Sequence, residues 1–136
     1  MAASLTDDGG VAAPMINKTG SASVKGTVVF ASAANDNSFV TNTAQYEAIG
    51  VVYEAGKADG ASCLVTKIGK AYVLLKDTTA ATRGTGYVAI ASATAGRAEV
   101  VSITNPVQGS AIGHPLETKS SGTNVLCLVD VHLNYR

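Results

Sequence analysis

From Met15 onward, apolar and polar positions alternate with a period of two, the signature of half-buried strands. Turn-forming residues interrupt the alternation about every eight to twelve positions. Asn17-Lys18-Thr19-Gly20 predicts a turn, because Asn and Gly tolerate positive φ. It leads into a strand over Val24–Ala31, with Val24, Val28 and Phe30 on one face. Asn35-Asp36-Asn37 predicts the next turn, before a short strand Ser38–Thr41. Further strands are expected at Ala48–Glu54, Ala61–Ile68, Ala71–Leu75, Tyr87–Ala91 and Glu99–Ile103. Gly69-Lys70 reads as a tight link between two of them, and Ala71–Leu75, apolar on both faces, is expected to lie centrally. Asp77–Gly84 carries the one helical signal, with Asp77 as N-cap and Gly84 closing the C-terminus. Asn105–Gly109 reads as a loop.

The last run, Val125–Arg136, is the clearest strand. Val125, Cys127, Val129, Val131, Leu133 and Tyr135 share one face. The opposite face begins apolar at Leu126 and Leu128 and turns polar at Asp130, His132, Asn134 and Arg136. Such a strand starts in a core and emerges with one face wet. By contrast, Met1–Pro14 shows no periodicity and reads as an extended N-terminal arm. The expectation is an all-β chain: a small β-barrel or sandwich of short strands, with at most one short helix, occupying 15–136 behind an arm at 1–14.

A repeat underlies the pattern. Ala48-Ile49-Gly50 returns as Ala111-Ile112-Gly113, at an offset of 63 residues (111 − 48). Each copy is followed by a glutamate (Glu54, Glu117), a glycine-containing turn (Gly60, Gly122) and a Cys-Leu-Val run (Cys63-Leu64-Val65, Cys127-Leu128-Val129). One strand–turn–strand unit is used twice.

Charge narrows the function classes. Ten basic and ten acidic residues cancel, and no Lys/Arg cluster exists to track phosphates, which disfavours nucleic acid as a partner. No apolar run reaches the roughly 18 residues of a membrane span, and the N-terminus lacks the basic and apolar regions of a secretory signal. Aromatics make up 5% and Trp is absent, so the apolar fraction is largely Ala and Val. A near-neutral surface of small residues is poorly suited to a free monomer and suits a chain that hides surface in a partner.

Reactive chemistry is sparse. His132 falls on the wet face of the last strand, and His114 precedes Pro115 at a strand opening. Two Cys and two His lack the close spacing of a zinc site. Cys63 and Cys127 fall in apolar runs and read as buried thiols, with a disulfide between the repeat copies as the alternative. Gly84-Thr85-Gly86 is no phosphate loop, and Asn17-Lys18-Thr19 reads as a turn although it fits a glycosylation sequon. Glu54 and Glu117 are the best polar pair; if the repeat is structural, they sit at equivalent strand ends and not in one site. No catalytic, metal or cofactor residues are nominated, and the chain is not expected to be an enzyme.

Asn17-Lys18-Thr19-Gly20, Val24–Val29, Ile49–Glu54, Leu74–Gly84 and Ile112–Glu117 together resemble segments of tailed-bacteriophage capsid decoration (cement) proteins. The resemblance runs from Ile16 to Leu133 and leaves the 1–14 arm uncovered. It implies a small β-barrel that binds the outside of an assembled phage head, often as a trimer, without cofactor. The implied partners are the major capsid protein and further copies of the chain. The implied location is the virion surface, after synthesis in the host cytoplasm. Candidate contact residues under this reading are Leu5, Val11, Pro14, Met15, Thr78, Thr79, Arg83, Leu133 and Tyr135. The alternative is another virion structural module, a head-fibre base or a tail-associated domain. A carbohydrate-binding sandwich would normally present Trp or Tyr platforms, and Trp is absent.

Overall fold

In the computed structural model, which describes residues 3–41, 47–104 and 110–133, the two strands expected at Ala61–Ile68 and Ala71–Leu75 are one. Ten strands form a single hydrogen-bonded sheet: β1 (Ser4–Leu5), β2 (Gly10–Asn17), β3 (Val28–Ala31), β4 (Ser38–Thr41), β5 (Gly50–Val52), β6 (Ser62–Leu74), β7 (Tyr87–Ala91), β8 (Ala98–Ser102), β9 (Ala111–Pro115) and β10 (Leu126–His132). Among the described residues there is no helix, so the chain is all-β. The expected loop at Asn105–Gly109 lies outside the described residues.

Gly69 is why β6 is continuous. Its φ of +89° bends the strand without ending it, and it lies opposite Gly10 of β2. A Cβ there would sit 2.9 Å from the Gly10 Cα, so only glycine permits this approach. The first part of β6 pairs with β5 and β2, and the second part pairs with β10.

The sequence repeat is the visible part of a larger duplication. β2–β6 and β6–β10 follow one pairing scheme, with β6 serving as last strand of the first half and first strand of the second. Met15 faces Cys63 as Val73 faces Cys127. Val29 faces Gly50 as Ala89 faces Gly113, and Ala31 faces Phe39 as Ala91 faces Ala98. Val52 faces Val65 as Pro115 faces Val129. A parallel pairing of β2 with β4 closes the first half, and a single parallel bridge from Leu75 to Ala98 closes the second. The result is sandwich-like, not the one barrel among the expected alternatives.

Two cores follow. Met15, Val29, Phe39, Val52, Cys63 and Val65 form the smaller. The larger contains Val73, Ala89, Ala98, Cys127 and Val129 at the equivalent positions, together with Val28, Phe30 and Val51. Val29 belongs to one core and its neighbours Val28 and Phe30 to the other, so β3 is buried on both faces. Alternation in β10 is as expected: Cys127, Val129 and Val131 are buried, while Asp130 and His132 are exposed. Residues 134–136 at the end of the expected strand lie outside the described residues.

Three expectations are corrected. The arm at 1–14 does not stand apart from the domain: Gly10–Asn17 is β2, paired along its length with β6, and Ala12 is fully buried. Small side chains and Pro14 hid this strand. Ile16 N–H donates to Asn37 O at 2.8 Å, so it points away from β6. Pro14, two residues earlier, presents its nitrogen on that same side, between the pairings to β1 and β4, and costs no ladder bond. Second, Val24 is 55% exposed and lies outside β3, because Gly26 at φ +91° breaks the run before Val28.

Third, Asp77–Gly84 is a loop. Asp77 Oδ1 accepts the Asn124 N–H at 2.9 Å and pairs with Arg97 at 3.1 Å, so it ties two loops together instead of capping a helix. Thr78 has φ +65°, and Ala81 makes an isolated antiparallel bridge to Lys119.

Gly26 fastens the two halves. Its N–H donates to Val52 O at 2.9 Å, and its C=O accepts the Leu74 N–H at 2.8 Å. A Cβ there would fall 2.6 Å from Leu126 and 2.9 Å from the Leu74 nitrogen, whereas one on the exposed Gly86 would meet nothing within 4 Å. Gly26→Ala is therefore expected to cost roughly 2–5 kcal/mol, from left-handed strain plus overpacking. Gly86→Ala should stay within about 0.5 kcal/mol. Urea denaturation of the two variants checks the contrast. The Thr66 hydroxyl is buried without a hydrogen-bond partner among the described residues. Thr66→Val is accordingly expected to be neutral or to stabilise by up to about 1 kcal/mol in the same assay.

Candidate interaction surface and the duplicated glutamate clip

The repeated glutamates perform one task twice. Glu54 Oε1 accepts the backbone N–H of Leu64 at 2.9 Å, and Glu117 Oε1 accepts that of Leu128 at 2.9 Å. The preceding residues complete the clip: Tyr53 N–H donates to Leu64 O at 3.0 Å and Leu116 N–H to Leu128 O at 2.8 Å. Each carboxylate also has a lysine, Lys57 at 3.8 Å and Lys119 at 3.6 Å. The two clips lie at equivalent strand ends of separate halves, as the sequence implied, and are not brought together into an acid pair.

The cysteines belong to the same clips. Cys63 Sγ donates to Glu54 O at 3.4 Å and Cys127 Sγ to Glu117 O at 3.5 Å. Both thiols are free and buried, and no disulfide joins the copies. Burial pushes both thiol pKa values up, and the adjacent glutamate charge adds to the rise. These thiols are packed, neutral groups.

The remaining polar chemistry is dispersed. His114 Nδ1 lies 2.8 Å from Tyr87 O, at the join of β7 and β9. Among the described residues, no three His, Cys, Asp or Glu side chains gather as metal ligands. Lys67 Nζ donates to Ile49 O at 3.0 Å and touches Met15 Sδ at 3.3 Å. Burial pushes its pKa down.

What the fold does assemble is surface. Leu5 of β1, Val11 of β2, Ile68 of β6 and His132 of β10 are directly opposite one another in consecutive strands, so their side chains form one cross-strand row. Leu5 is 87% exposed and Ile68 55%. Covering Leu5 fully would contribute about 1.5–3 kcal/mol, and covering the already part-buried Ile68 roughly half of that. Lys70 and Asp130, opposite one another across β6 and β10, flank the row with one charge of each sign. A second set of exposed apolar residues, Tyr87, Ile103 and Leu116, lies on the other half.

The nominated contact residues divide accordingly. Leu5 and Val11 are in the row, and Pro14 is half-buried on β2. Met15 is a correction: it points into the smaller core and cannot meet a partner. Thr78 and Arg83 are exposed in the loop after β6, whereas Thr79 is half-buried with its hydroxyl on Lys76 O at 2.6 Å. Leu133 packs against the larger core, and Tyr135 lies outside the described residues. Ile68 was missed because the expected strand ends there, whereas β6 runs on past it and leaves its side chain exposed. The Gly69 bend was the signal that its face could turn outward.

Comparison of the chain with protein-family models, with curated proteins and with solved structures finds no match.

Removing one clip carboxylate leaves a strand N–H unpaired, so Glu54→Ala and Glu117→Ala should each cost about 1–3 kcal/mol, with matching acceleration of amide exchange at Leu64 and Leu128. The raised thiol pKa values give a sign for pH. The folded state holds those protons more tightly than the unfolded one, so their contribution is complete below the unfolded thiol pKa, about 8.5, and is lost as pH rises through the folded values. Lys67 acts oppositely, adding stability as pH rises through its lowered pKa toward the unfolded value. Denaturation midpoints of the wild type, a Cys63→Ala/Cys127→Ala variant and Lys67→Met across this window should separate the two slopes.

Proposed function

We propose that the chain is a viral structural protein that binds the outer surface of an assembled phage head and stabilises it, acting as a trimer. The observation that carries the reading is the row of Leu5, Val11, Ile68 and His132, exposed at Leu5, Ile68 and His132, on a chain of zero formal net charge. The resemblance of Asn17–Gly20, Ile49–Glu54 and Ile112–Glu117 to decoration proteins supplies the identity of the partner lattice. The duplicated clips support it in a second way. Their carboxylates and thiols are occupied in holding strands together, which gives a rigid sheet that presents surface.

A protein that binds the assembled shell and not its free subunits stabilises the shell by mass action. The gain is about 2.7 kcal/mol per site at 100-fold excess over Kd. Trimerisation lets three modest contacts act together, since the second and third form at high effective concentration.

The reading predicts a trimer by light scattering and saturable co-sedimentation with expanded heads stripped of their surface proteins. Leu5→Asp/Ile68→Asp should lower head occupancy at least tenfold, because it places charges where apolar surface is covered. A wild-type chain that stays monomeric and fails to sediment with heads would overturn the proposal.

A further inference from the structure

The segment Ala3–Gly9 lies on the body of the protein with scarcely any buried apolar surface. Ala3, Ser4, Leu5, Asp7 and Gly9 are exposed, and Thr6 and Asp8 are half-buried. Hydrophobic burial therefore does not hold it down. Two residue pairs join β1 to β2, Ser4 with Ala12 and Leu5 with Val11. Thr6 closes the turn locally, donating its N–H to Gly10 O and accepting the Gly10 N–H on its hydroxyl.

Beyond the turn, three contacts fix the segment to other parts of the chain. Lys70 N–H donates to Gly9 O at 3.3 Å, and Asp7 N–H donates to Tyr53 Oη at 3.2 Å. The third is ionic: Asp8 Oδ2 meets Lys25 Nζ at 2.8 Å. That oxygen is buried, and among the described residues it has no partner other than the Lys25 ammonium. The carboxylate thus depends on one ammonium. Lys25 itself lies over the rings of Tyr53 and Tyr72, 4.9 and 5.7 Å from their centroids. Its position is set whether or not Asp8 is present.

We propose that Ala3–Gly9 is a strap that opens as a unit, latched by the Asp8–Lys25 ion pair, and that its opening bares the outer edge of β2 at Val11 and Ala12. The asymmetry of the latch makes it a switch. Lys25 keeps two aromatic rings when the strap leaves, while Asp8 loses a half-buried site that is favourable only with its partner. Opening costs the two residue pairs between β1 and β2 and three polar contacts, and Leu5, already exposed, surrenders almost nothing. The free energy of opening therefore lies at the low end of the range for local unfolding.

The inference concerns the free chain and stands apart from the reading as a head-binding protein, so its test needs no heads. Amide exchange followed by NMR on the full chain reports the strap through Thr6, Asp7 and Gly9, and the sheet through Val73 and Val129. Lys25→Met and Asp8→Asn are each expected to speed exchange at the strap amides by about tenfold and to leave the sheet amides within about twofold. In the wild type, raising ionic strength from about 0.02 to about 1 M should speed the same amides selectively, because salt weakens the latch. The salt series decides the matter should a variant fold poorly. Strap amides unmoved by salt, or strap and sheet amides accelerating together, would overturn the proposal.

Discussion

The backbone hydrogen bonding of β6 is the constraint on which the rest depends. A buried strand must pair its N–H and C=O groups on both edges, or lose the full desolvation cost of each unpaired group. β6 runs for 13 residues and meets that requirement with different partners along its length: β5 and β2 over its first part, β10 over its second. Where its outer edge would be left open at Leu74, the backbone of Gly26 steps in. Both halves of the molecule are thus organised on one strand, and neither has a first or last strand independent of it.

Sharing that strand has consequences for packing. Because β3 and β5 are buried on both faces, the two cores lie either side of them and are not separable bodies. Side chains at equivalent positions differ in size: Met15, Val29 and Phe39 in one core correspond to Val73, Ala89 and Ala98 in the other. The second core compensates for its smaller residues by drawing Val28, Phe30 and Val51 from the first half. The duplication has in this way become asymmetric. One copy contributes the filling of both cores.

The same division governs what the surface can do. Glu54, Glu117 and both cysteines are occupied in the clips that hold strand ends. The edges and outer faces keep Leu5, Ile68, Tyr87, Ile103 and Leu116 in contact with solvent. Around the N-terminal strap the forces are polar, whereas along β6 apolar burial accompanies the backbone ladder.

Local sequence determined the features that a single strand carries within itself. The period-two alternation of Cys127, Val129 and Val131 against Asp130 and His132 fixes which face is wet, because successive side chains leave a strand on opposite sides. The repeated Ala-Ile-Gly, Glu and Cys-Leu-Val elements likewise announced two equivalent units. Pairing was decided by tertiary structure. Gly10–Asn17 has no large-residue alternation, and it becomes a strand because β6 offers it an edge along its whole length. Asp77–Gly84 carries helical caps, yet Arg97 and Asn124, distant in sequence, take Asp77 for themselves. The physical reason is that periodicity is a property of neighbours along the chain. A ladder of hydrogen bonds, and the choice of whether one strand will serve two halves, belongs to residues that meet only when the chain has folded.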